Sequence, residues 1–546
     1  MAKILLINSN RFKHPWPVIP FGLCYIATIL EVNGSHNVSF LDLCFSLDCA
    51  QDIKKAVHNF TPDVIGISIR NIDDTGGYKV HFLLEDVKND VVNYCKKEFS
   101  GPIVIGGPSV GISGREMLEY FDLEYAVRGD GEAVMLEFVK RIENRQPLEA
   151  LKGLIIRRDN TIVQDNEPFR VNDLDSLPFP KLLRYLDLDR YSQFGSPIQI
   201  QTKRGCALKC SYCTYNIIEG KQYRLINPRR IADEIEILVK ETGINHIEFT
   251  DSIFNIPLAH TKAVLREVIR KNLDLKLHTM GLSPAAVDEE LLDLMKSAGF
   301  NEVDIGAESA CDEVLESLAK DFKRSDVLNI AYLLKKKKIP ATWFIMLGAP
   351  AETRESVFET LKTMGTVASK GDMVFVSTGI RVYKGSPLAE EIRKHDIHCT
   401  GDNFLHPVKI EPEKISLSDI HTIAKRFSFR YPNFYFYEKE HVIPGQILRI
   451  GNIILKVFHS RQPVWRILLF FKWIGLALGI GLVERVIYEL KMVTHGKSIN
   501  PNPGITLISV PESQCLGVNE ILLAEREIVV EDAGSRLEGR VIQTGG

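Results

Sequence analysis

Over residues 1–107, short apolar runs alternate with helical periodicity: "KILLIN" (3–8), a helix pattern "GLCYIATILEVNG" (22–34), then "VSFLDL" (38–43), "DVIGISI" (63–69) and "PIVIGG" (102–107). Uninterrupted β-rich runs separated by helices are how parallel strands buried on both faces read in sequence. The pattern predicts a doubly wound parallel sheet over residues 1–145. Residues 146–195 read as a connector, with a hairpin in "GLIIRRDNTIVQDN" (153–166) turning at Asp159 and Asn160, and a break at "LPFP" (177–180).

A second alternation fills residues 196–390. It runs "PIQIQTKRG" (197–205), helix 228–242, "HIEFTDS" (246–252), helix 257–271, "LKLHTMG" (275–281), helix 287–298, "EVDIGAES" (302–309), helices to 338, "TWFIMLGAP" (342–350), helix 353–370 and "MVFVSTGIR" (373–381). Six strand candidates with intervening helices predict a partial (β/α)6 barrel, so the fold class is α/β. Residues 391–546 read as a mainly helical C-terminal region.

With 546 residues, 45% hydrophobic and 25% charged, the composition is globular. Lys+Arg 67 against Asp+Glu 70 gives a net charge of -3, which excludes a global field that recruits nucleic acid. The basic run Lys335 to Lys338 reads as a solvated helix end. "MAKILLINSN" reads as a first strand rather than a secretion signal, so the expected compartment is the cytoplasm. Of ten cysteines, those at 24, 44, 49, 95, 311, 399 and 515 are scattered and read as small buried hydrophobes.

In doubly wound sheets ligands sit at the carboxyl ends of the strands. Here those ends are "SIRNIDDTGG" (68–77), "GGPSV" (106–110) and "RGDGE" (128–132). They make Ser68, Arg70, Asn71, Asp73, Gly106, Gly107, Gly129 and Glu132 candidates, with Gly106 and Gly107 permitting close backbone approach. For "RGDGE" the alternative is a helix cap at Asp130 ahead of "AVMLEFVKRI".

The other three cysteines are clustered in "RGCALKCSYCTY" (204–215), at the end of the first barrel strand. Thiolates this close converge on one metal centre. Structural zinc requires a fourth ligand, which no finger-like pattern nearby supplies. Three cysteines fit better with a four-iron cluster that leaves one iron open to another ligand.

Cys206, Cys210 and Cys213, with the aromatic Tyr212 before the last, resemble the signature of the radical S-adenosylmethionine (SAM) superfamily. The resemblance implies a 4Fe-4S cluster whose open iron is chelated by SAM, and reductive cleavage of SAM to a 5'-deoxyadenosyl radical. It extends to "FTDSIFN" (249–255), which nominates Thr250, Asp251 and Ser252 for the methionine amino group. "GAES" (306–309) nominates Glu308 and Ser309 for the ribose and carboxylate, and "FIMLGAPAET" (344–353) nominates Leu347 and Gly348 for the adenine. "GIRVYKGSPL" (379–388) places Arg381 and Tyr383 near the pocket. Each also has a plain reading, as helix cap, ion pair or turn glycine.

The first domain resembles the Rossmann-like cobalamin-binding domain that precedes the barrel in one radical SAM subgroup, on "PFGLCYIATIL" (20–30), "DVIGISIRNID", "IVIGG" and "RGDGE". The loop "NSNRFKHPWPVIPFG" lacks the spacing of a cobalt-ligating histidine, so His14 reads as a loop residue, and the resemblance to the radical subgroup implies cobalt bound without a protein imidazole below it. Methylthiotransferases resemble this layout, but Cys24, Cys44, Cys49 and Cys95 do not form their second cysteine triplet, and the tail carries the acidic "AEREIVVEDAG" (524–534).

Beyond 391 the resemblance fades. "FRYPNFYFYEKEHVIP" (429–444) either lines a substrate site or packs the domain to the barrel. In "VWRILLFFKWIGLALGIGLVERVIYEL" (464–490) the longest uncharged stretch, Trp473 to Val483, is too short to span a membrane, and the segment reads as a buried helix, an interfacial helix or the wall of a lipid pocket. The family resemblance implies a cobalamin-dependent radical SAM methyltransferase acting through methylcobalamin on a poorly activated carbon. Its implied partners are a small-molecule or lipid-like substrate and an electron donor such as flavodoxin or ferredoxin, with peripheral membrane contact through 464–490 as an option. The alternatives are a cyclase or rearrangement enzyme with the same cofactors, and an iron-sulfur and cobalamin sensor.

Overall fold

The computed structural model describes residues 1–13, 16–75, 80–394, 404–436 and 465–478. His14, Gly76, Gly77, Cys399, Cys515, the aromatic stretch from 437, the apolar segment beyond 478 and the acidic tail lie outside the described residues.

Seven strands form the first sheet: β1 (Lys3–Asn8), β2 (Asn37–Asp42), β3 (Val64–Ser68), β4 (Ile103–Gly106), β5 (Tyr125–Val127), β6 (Leu154–Arg158) and β7 (Thr161–Asp165). Their order is β2-β1-β3-β4-β5-β6-β7, parallel through β5. β6 and β7 extend the sheet antiparallel from β5. Ile4, Leu5, Leu6 and Ile7 are all at most 1% exposed, because helices cover both faces. Phe21–Val32 and Gly131–Glu143 pack on one face, Cys49–Phe60 and Pro108–Phe121 on the other. The order reverses between β1 and β3, which places a binding crevice at their carboxyl ends.

The barrel strands follow: β8 (Ile198–Ile200), β9 (Lys203–Arg204), β10 (Arg224–Leu225), β11 (His246–Phe249), β12 (Lys276–Thr279), β13 (Val303–Glu308), β14 (Ala341–Leu347), β15 (Met373–Thr378) and β16 (Phe434–Phe436). β8, β11 and β12 pair in parallel, as do β13, β14, β15 and β16, and bridges Leu277–Phe300 and Leu282–Ile305 link the two groups into one open arc. Two details differ from the sequence reading. "PIQIQTKRG" breaks after Ile200, and Lys203–Arg204 turns into a short antiparallel ribbon with Arg224–Leu225. The aromatic residues Phe434–Phe436, within the stretch read as lining a substrate site or packing against the barrel, add a seventh parallel strand to the arc.

Alternation sorts the barrel residues. Ile198, Ile200, Ile247, Phe249, Leu277, Val303, Ile305, Trp343, Ile345, Val374, Val376 and Phe434 join the helices in one core. Gln199, Glu248, His278, Asp304, Phe344, Phe375 and Tyr435 therefore face the concave interior. The lysine run ends the helix Arg324–Lys337, where Lys336 and Lys337 pair with Glu289 and Asp293. In the helix Trp465–Ala477, Leu469 is buried while Phe470 and Ile474 are exposed. Among the described residues, no helix is long and apolar enough to cross a membrane.

Candidate active site at the cysteine loop and the facing crevice

The cysteine loop starts from a fixed base. Gly205 has φ +95, and a Cβ there would lie 2.0 Å from the Gln222 carbonyl oxygen, so the chain passes the ribbon only as glycine. Its N–H donates to Glu219 Oε2 at 3.1 Å, and the Cys206 N–H donates to the Gly220 carbonyl at 2.9 Å. All three thiols are free; Cys206 and Cys210 are buried and Cys213 partly so. Burial pushes the thiols of Cys210 and Cys213 up, the latter to about 11, and each also senses Cys206. Burial likewise raises Glu219 to about 7. The loop from Gly205 to Ile218 supplies three sulfurs and no histidine. This donor set fits a thiolate-held iron-sulfur cluster with one open iron.

Beside the thiols lies a polar knot. The Tyr212 hydroxyl donates to Glu308 Oε1 at 2.8 Å, and Lys320 Nζ reaches the same hydroxyl at 3.3 Å and the same carboxylate at 3.4 Å. Burial pulls the Lys320 ammonium down, but Glu308 and then Cys210 outweigh it and the net shift is upward. Glu308 holds φ +58 at a register shift in β13, a strained backbone for a non-glycine residue. Lys320 carried no motif in the sequence; only its place in the fold reveals it.

The remaining barrel candidates scatter. Thr250 and Ser252 stay near the loop, with Ser252 Oγ donating to the Gly205 carbonyl at 3.1 Å. Asp251 is turned inward: its carboxylate accepts from Thr202 N and Oγ1 and from Lys203 N and Nζ. Ser309 points away from the interior to the Thr360 hydroxyl, 2.8 Å away. Leu347 sits in the helix-side core, because strand alternation turns it outward, and Gly348 packs under Leu417. Arg381 and Tyr383 leave the barrel pocket for the first sheet: Arg381 Nε donates to Asp73 Oδ2 at 2.8 Å and the Tyr383 hydroxyl to Asp73 Oδ1 at 3.0 Å.

On the first-sheet side, Ser68, Arg70, Asn71, Gly106 and Gly107 gather at the ends of β3 and β4. Ser9 Oγ donates to the Ser68 carbonyl at 2.7 Å, and Arg70 Nη1 to Asn71 Oδ1 at 3.2 Å. At Gly106 a Cβ would meet nothing nearer than the Val127 carbonyl oxygen at 3.9 Å, which leaves open space over the turn. At Gly107 a Cβ would lie 2.6 Å from the Ile69 carbonyl oxygen, so that glycine serves the turn itself. At the end of β1, Asn10 Nδ2 is buried without a hydrogen-bond partner. Open space over the β4 turn and an orphaned amide at the switch point fit a bulky, hydrogen-bonding cofactor. Gly129 and Glu132 do not face the crevice in the same way. A Cβ at Gly129 would strike the Phe169 carbonyl oxygen, and Glu132 Oε1 accepts from Arg204 Nη2 at 2.6 Å.

The helix that follows β4 packs on the cysteine loop, where a Cβ at Gly111 would lie 3.6 Å from Ile218 Cα, so the strand ends of the first sheet face that loop, and Arg70 and Tyr215 sense each other's charge. Inside the arc a polar layer spans four strands: Gln199 Nε2 donates to Glu248 Oε2 at 3.0 Å, and His278 lies 3.3 Å from both Glu248 and Asp304. Burial pulls the His278 imidazole down, but Asp304, Glu248 and Glu302 together outweigh it and the net shift is well upward. Opposite stand the rings of Phe344, Phe375 and Tyr435, with centroids 5.4 and 5.7 Å apart. The layer was not found from sequence, although "IQI", "IEF", "LHT" and "VDI" each carry one polar residue at the inward position.

Comparison with known proteins agrees with this geometry. Residues 200–364 match the radical SAM superfamily and residues 13–139 the B12 binding domain. An uncharacterized methyltransferase of Pyrococcus horikoshii is 27% identical over 443 residues, covering 80% of this chain and 92% of that protein. The tryptophan 2-C-methyltransferase of Streptomyces laurentii is 25% identical over 460 residues, covering 73% of this chain and 75% of the relative. The solved radical SAM methyltransferase TsrM of Kitasatospora setae, with tryptophan and a SAM analogue bound, superimposes with a TM-score of 0.67 at 25% identity, covering 77% of this chain and 82% of that one. A cobalamin-binding sheet joined to a radical SAM barrel defines the class. The chain belongs to the cobalamin-dependent radical SAM enzymes and stands with their methyltransferases rather than their cyclases; its cofactors are a 4Fe-4S cluster, SAM and cobalamin.

Proposed function

We propose that this enzyme moves a methyl group from SAM, by way of cobalamin, to a poorly activated carbon of a compact small molecule bound inside the barrel arc. The observation that carries the reading is the cysteine loop, with its Tyr212–Glu308–Lys320 knot on the barrel side and the helix after β4 of the first sheet packed against Ile218 on the other. When bound, the cluster supplies an electron to SAM, and cobalamin supplies a site that accepts and gives up a methyl group.

The chain's own residues do the rest. Cys206, Cys210 and Cys213 hold the cluster, while Glu308 and Lys320 bind and orient the charged end of SAM, with Thr250 and Ser252 alongside. Ser68, Asn71, Gly106 and Asn10 hold cobalamin in the crevice, and Arg70 covers the cysteine-loop side. The polar layer Glu248–His278–Asp304 and the rings of Phe344, Phe375 and Tyr435 support a substrate with a hydrogen-bonding head and a flat apolar body. That pairing favours a small molecule over a long lipid chain. The arc shields the reacting centre from water, and positioning supplies the rate.

A flavodoxin or ferredoxin serves as electron donor in the cytoplasm, and the segment 464–490, whose described part exposes Phe470 and Ile474, makes any contact with a membrane surface. The test is anaerobic reconstitution with iron, sulfide and hydroxocobalamin, followed by SAM and reductant, with 5'-deoxyadenosine and S-adenosylhomocysteine quantified together. Both products support methyl transfer; deoxyadenosine alone supports a rearrangement, and neither from a protein with an intact cluster overturns the reading.

A further inference from the structure

Three buried carboxylates of the first domain, Glu132, Asp130 and Asp73, grip the barrel at its two edges. At one edge, Glu132 Oε1 accepts from Arg204 Nη2 at 2.6 Å, and Asp130 lies 3.6 Å from Arg204 Nη1 while also pairing with Arg224. These side chains are between 4% and 11% exposed. Arg204 precedes Gly205 and Cys206, so this pair holds the root of the cysteine loop. At the other edge, Asp73, with a side chain 0% exposed, takes Arg381 Nε at 2.8 Å and the Tyr383 hydroxyl at 3.0 Å, just after β15. The Arg381 Nη2 also donates to the Phe404 and Leu405 carbonyls, both at 3.1 Å.

The topology gives these pairs a job. β8 lies at one end of the arc and β15 with β16 at the other, and among the described residues the two ends do not pair with each other. Leu388 N–H donates to the Ser211 carbonyl at 2.9 Å and so joins the loops beyond the two ends, but no strand ladder fixes their separation among the described residues. Glu132 follows β5 and Asp73 follows β3, so the gripped edges flank the strand ends of β3, β4 and β5, where the crevice opens. Buried ion pairs contribute little net stability but can fix register.

We infer that Glu132–Arg204 and Asp73–Arg381 are positioning pairs that set the distance between the crevice and the cysteine loop, so that one SAM-dependent half-reaction stays coupled to the other. The inference rests on the reading that the crevice holds cobalamin and the loop the cluster. Asp73 spends both carboxylate oxygens on Arg381 and Tyr383, and Glu132 spends Oε1 on Arg204, so they act through those residues.

The experiment compares wild type with Glu132→Gln and Asp73→Asn, and adds Tyr383→Phe as a mild variant that keeps the Asp73–Arg381 pair. Hydrogen–deuterium exchange of the protein before reconstitution is followed over residues 204–225 and 379–384. Iron content, 5'-deoxyadenosine and S-adenosylhomocysteine are then measured after reconstitution. The expected result is faster exchange at the edge that was cut, unchanged iron, deoxyadenosine near the wild-type rate and S-adenosylhomocysteine reduced about tenfold, with Tyr383→Phe between. Unchanged exchange, or both products falling in parallel, overturns the inference. If wild type itself makes neither product, the functional reading fails, and the exchange comparison still decides whether the pairs lock the edges.

Discussion

Lys203 and Asp251 form an ion pair in which Nζ lies 3.0 Å from Oδ2 and neither side chain has any exposed surface. Lys203 Nζ also donates to the Phe254 carbonyl at 3.0 Å, and Asp251 takes the Thr202 and Lys203 backbone N–H groups. The pair ties the strand end after β11 to the residues that lead into the cysteine loop. Lys203→Met strands a carboxylate in the interior and should cost about 3–5 kcal/mol. Denaturant titration of the two proteins measures this, and iron per protein should fall with it. A loss below about 1 kcal/mol would show that Asp251 is satisfied by its backbone donors.

Lys320 should matter for SAM more than for the cluster. It binds no iron, yet it neutralises Glu308 beside the thiols. Lys320→Met should retain iron and weaken SAM binding about tenfold, the worth of one charge-assisted contact. Titrating SAM against the reduced cluster and following its electron paramagnetic resonance signal gives the affinity. Lys320→Arg should recover part of it; equal affinity in all three proteins would remove Lys320 from the site.

Gly205→Ala probes the root of the loop. The new methyl would stand 2.0 Å from the Gln222 carbonyl oxygen at φ +95, and the obstacle is backbone, so the loop must shift. The expected outcome is a stability loss above about 1 kcal/mol together with incomplete iron loading. Full loading with wild-type stability would mean that the ribbon yields.

The strands were legible because continuous runs such as Ile4–Ile7 can only be buried on both faces, and the cysteine loop because three thiols this close have few uses. What sequence concealed was direction. Leu347 and Ser309 stand in the expected segment but on the helix side of their strands, and a one-residue change of face is invisible in a motif. Glu132, Arg381 and Tyr383 look like ligand contacts in sequence because polar strand ends look alike, whether they meet a cofactor or another domain. Lys320 and the layer Gln199–Glu248–His278–Asp304 are assembled from separate elements, so no local pattern announces them.

Glu234 supplies a pH test independent of the cofactors. It is 5% exposed on the helix Pro228–Thr242, and burial raises its carboxyl to about 8, with Arg230 pulling the other way. Its folded value lies above its unfolded value, so between about pH 4.5 and 8 the native state keeps a proton that the unfolded chain has released. The group's contribution is complete below pH 4.5, is lost as pH rises, and levels off above pH 8. Glu234→Gln mimics the protonated acid at every pH. The variant should match wild type at pH 5 and become progressively more stable than it toward pH 8, by denaturant titration at several pH values. A difference that does not change with pH would mean that Glu234 ionises normally, with Arg230 compensating for its burial.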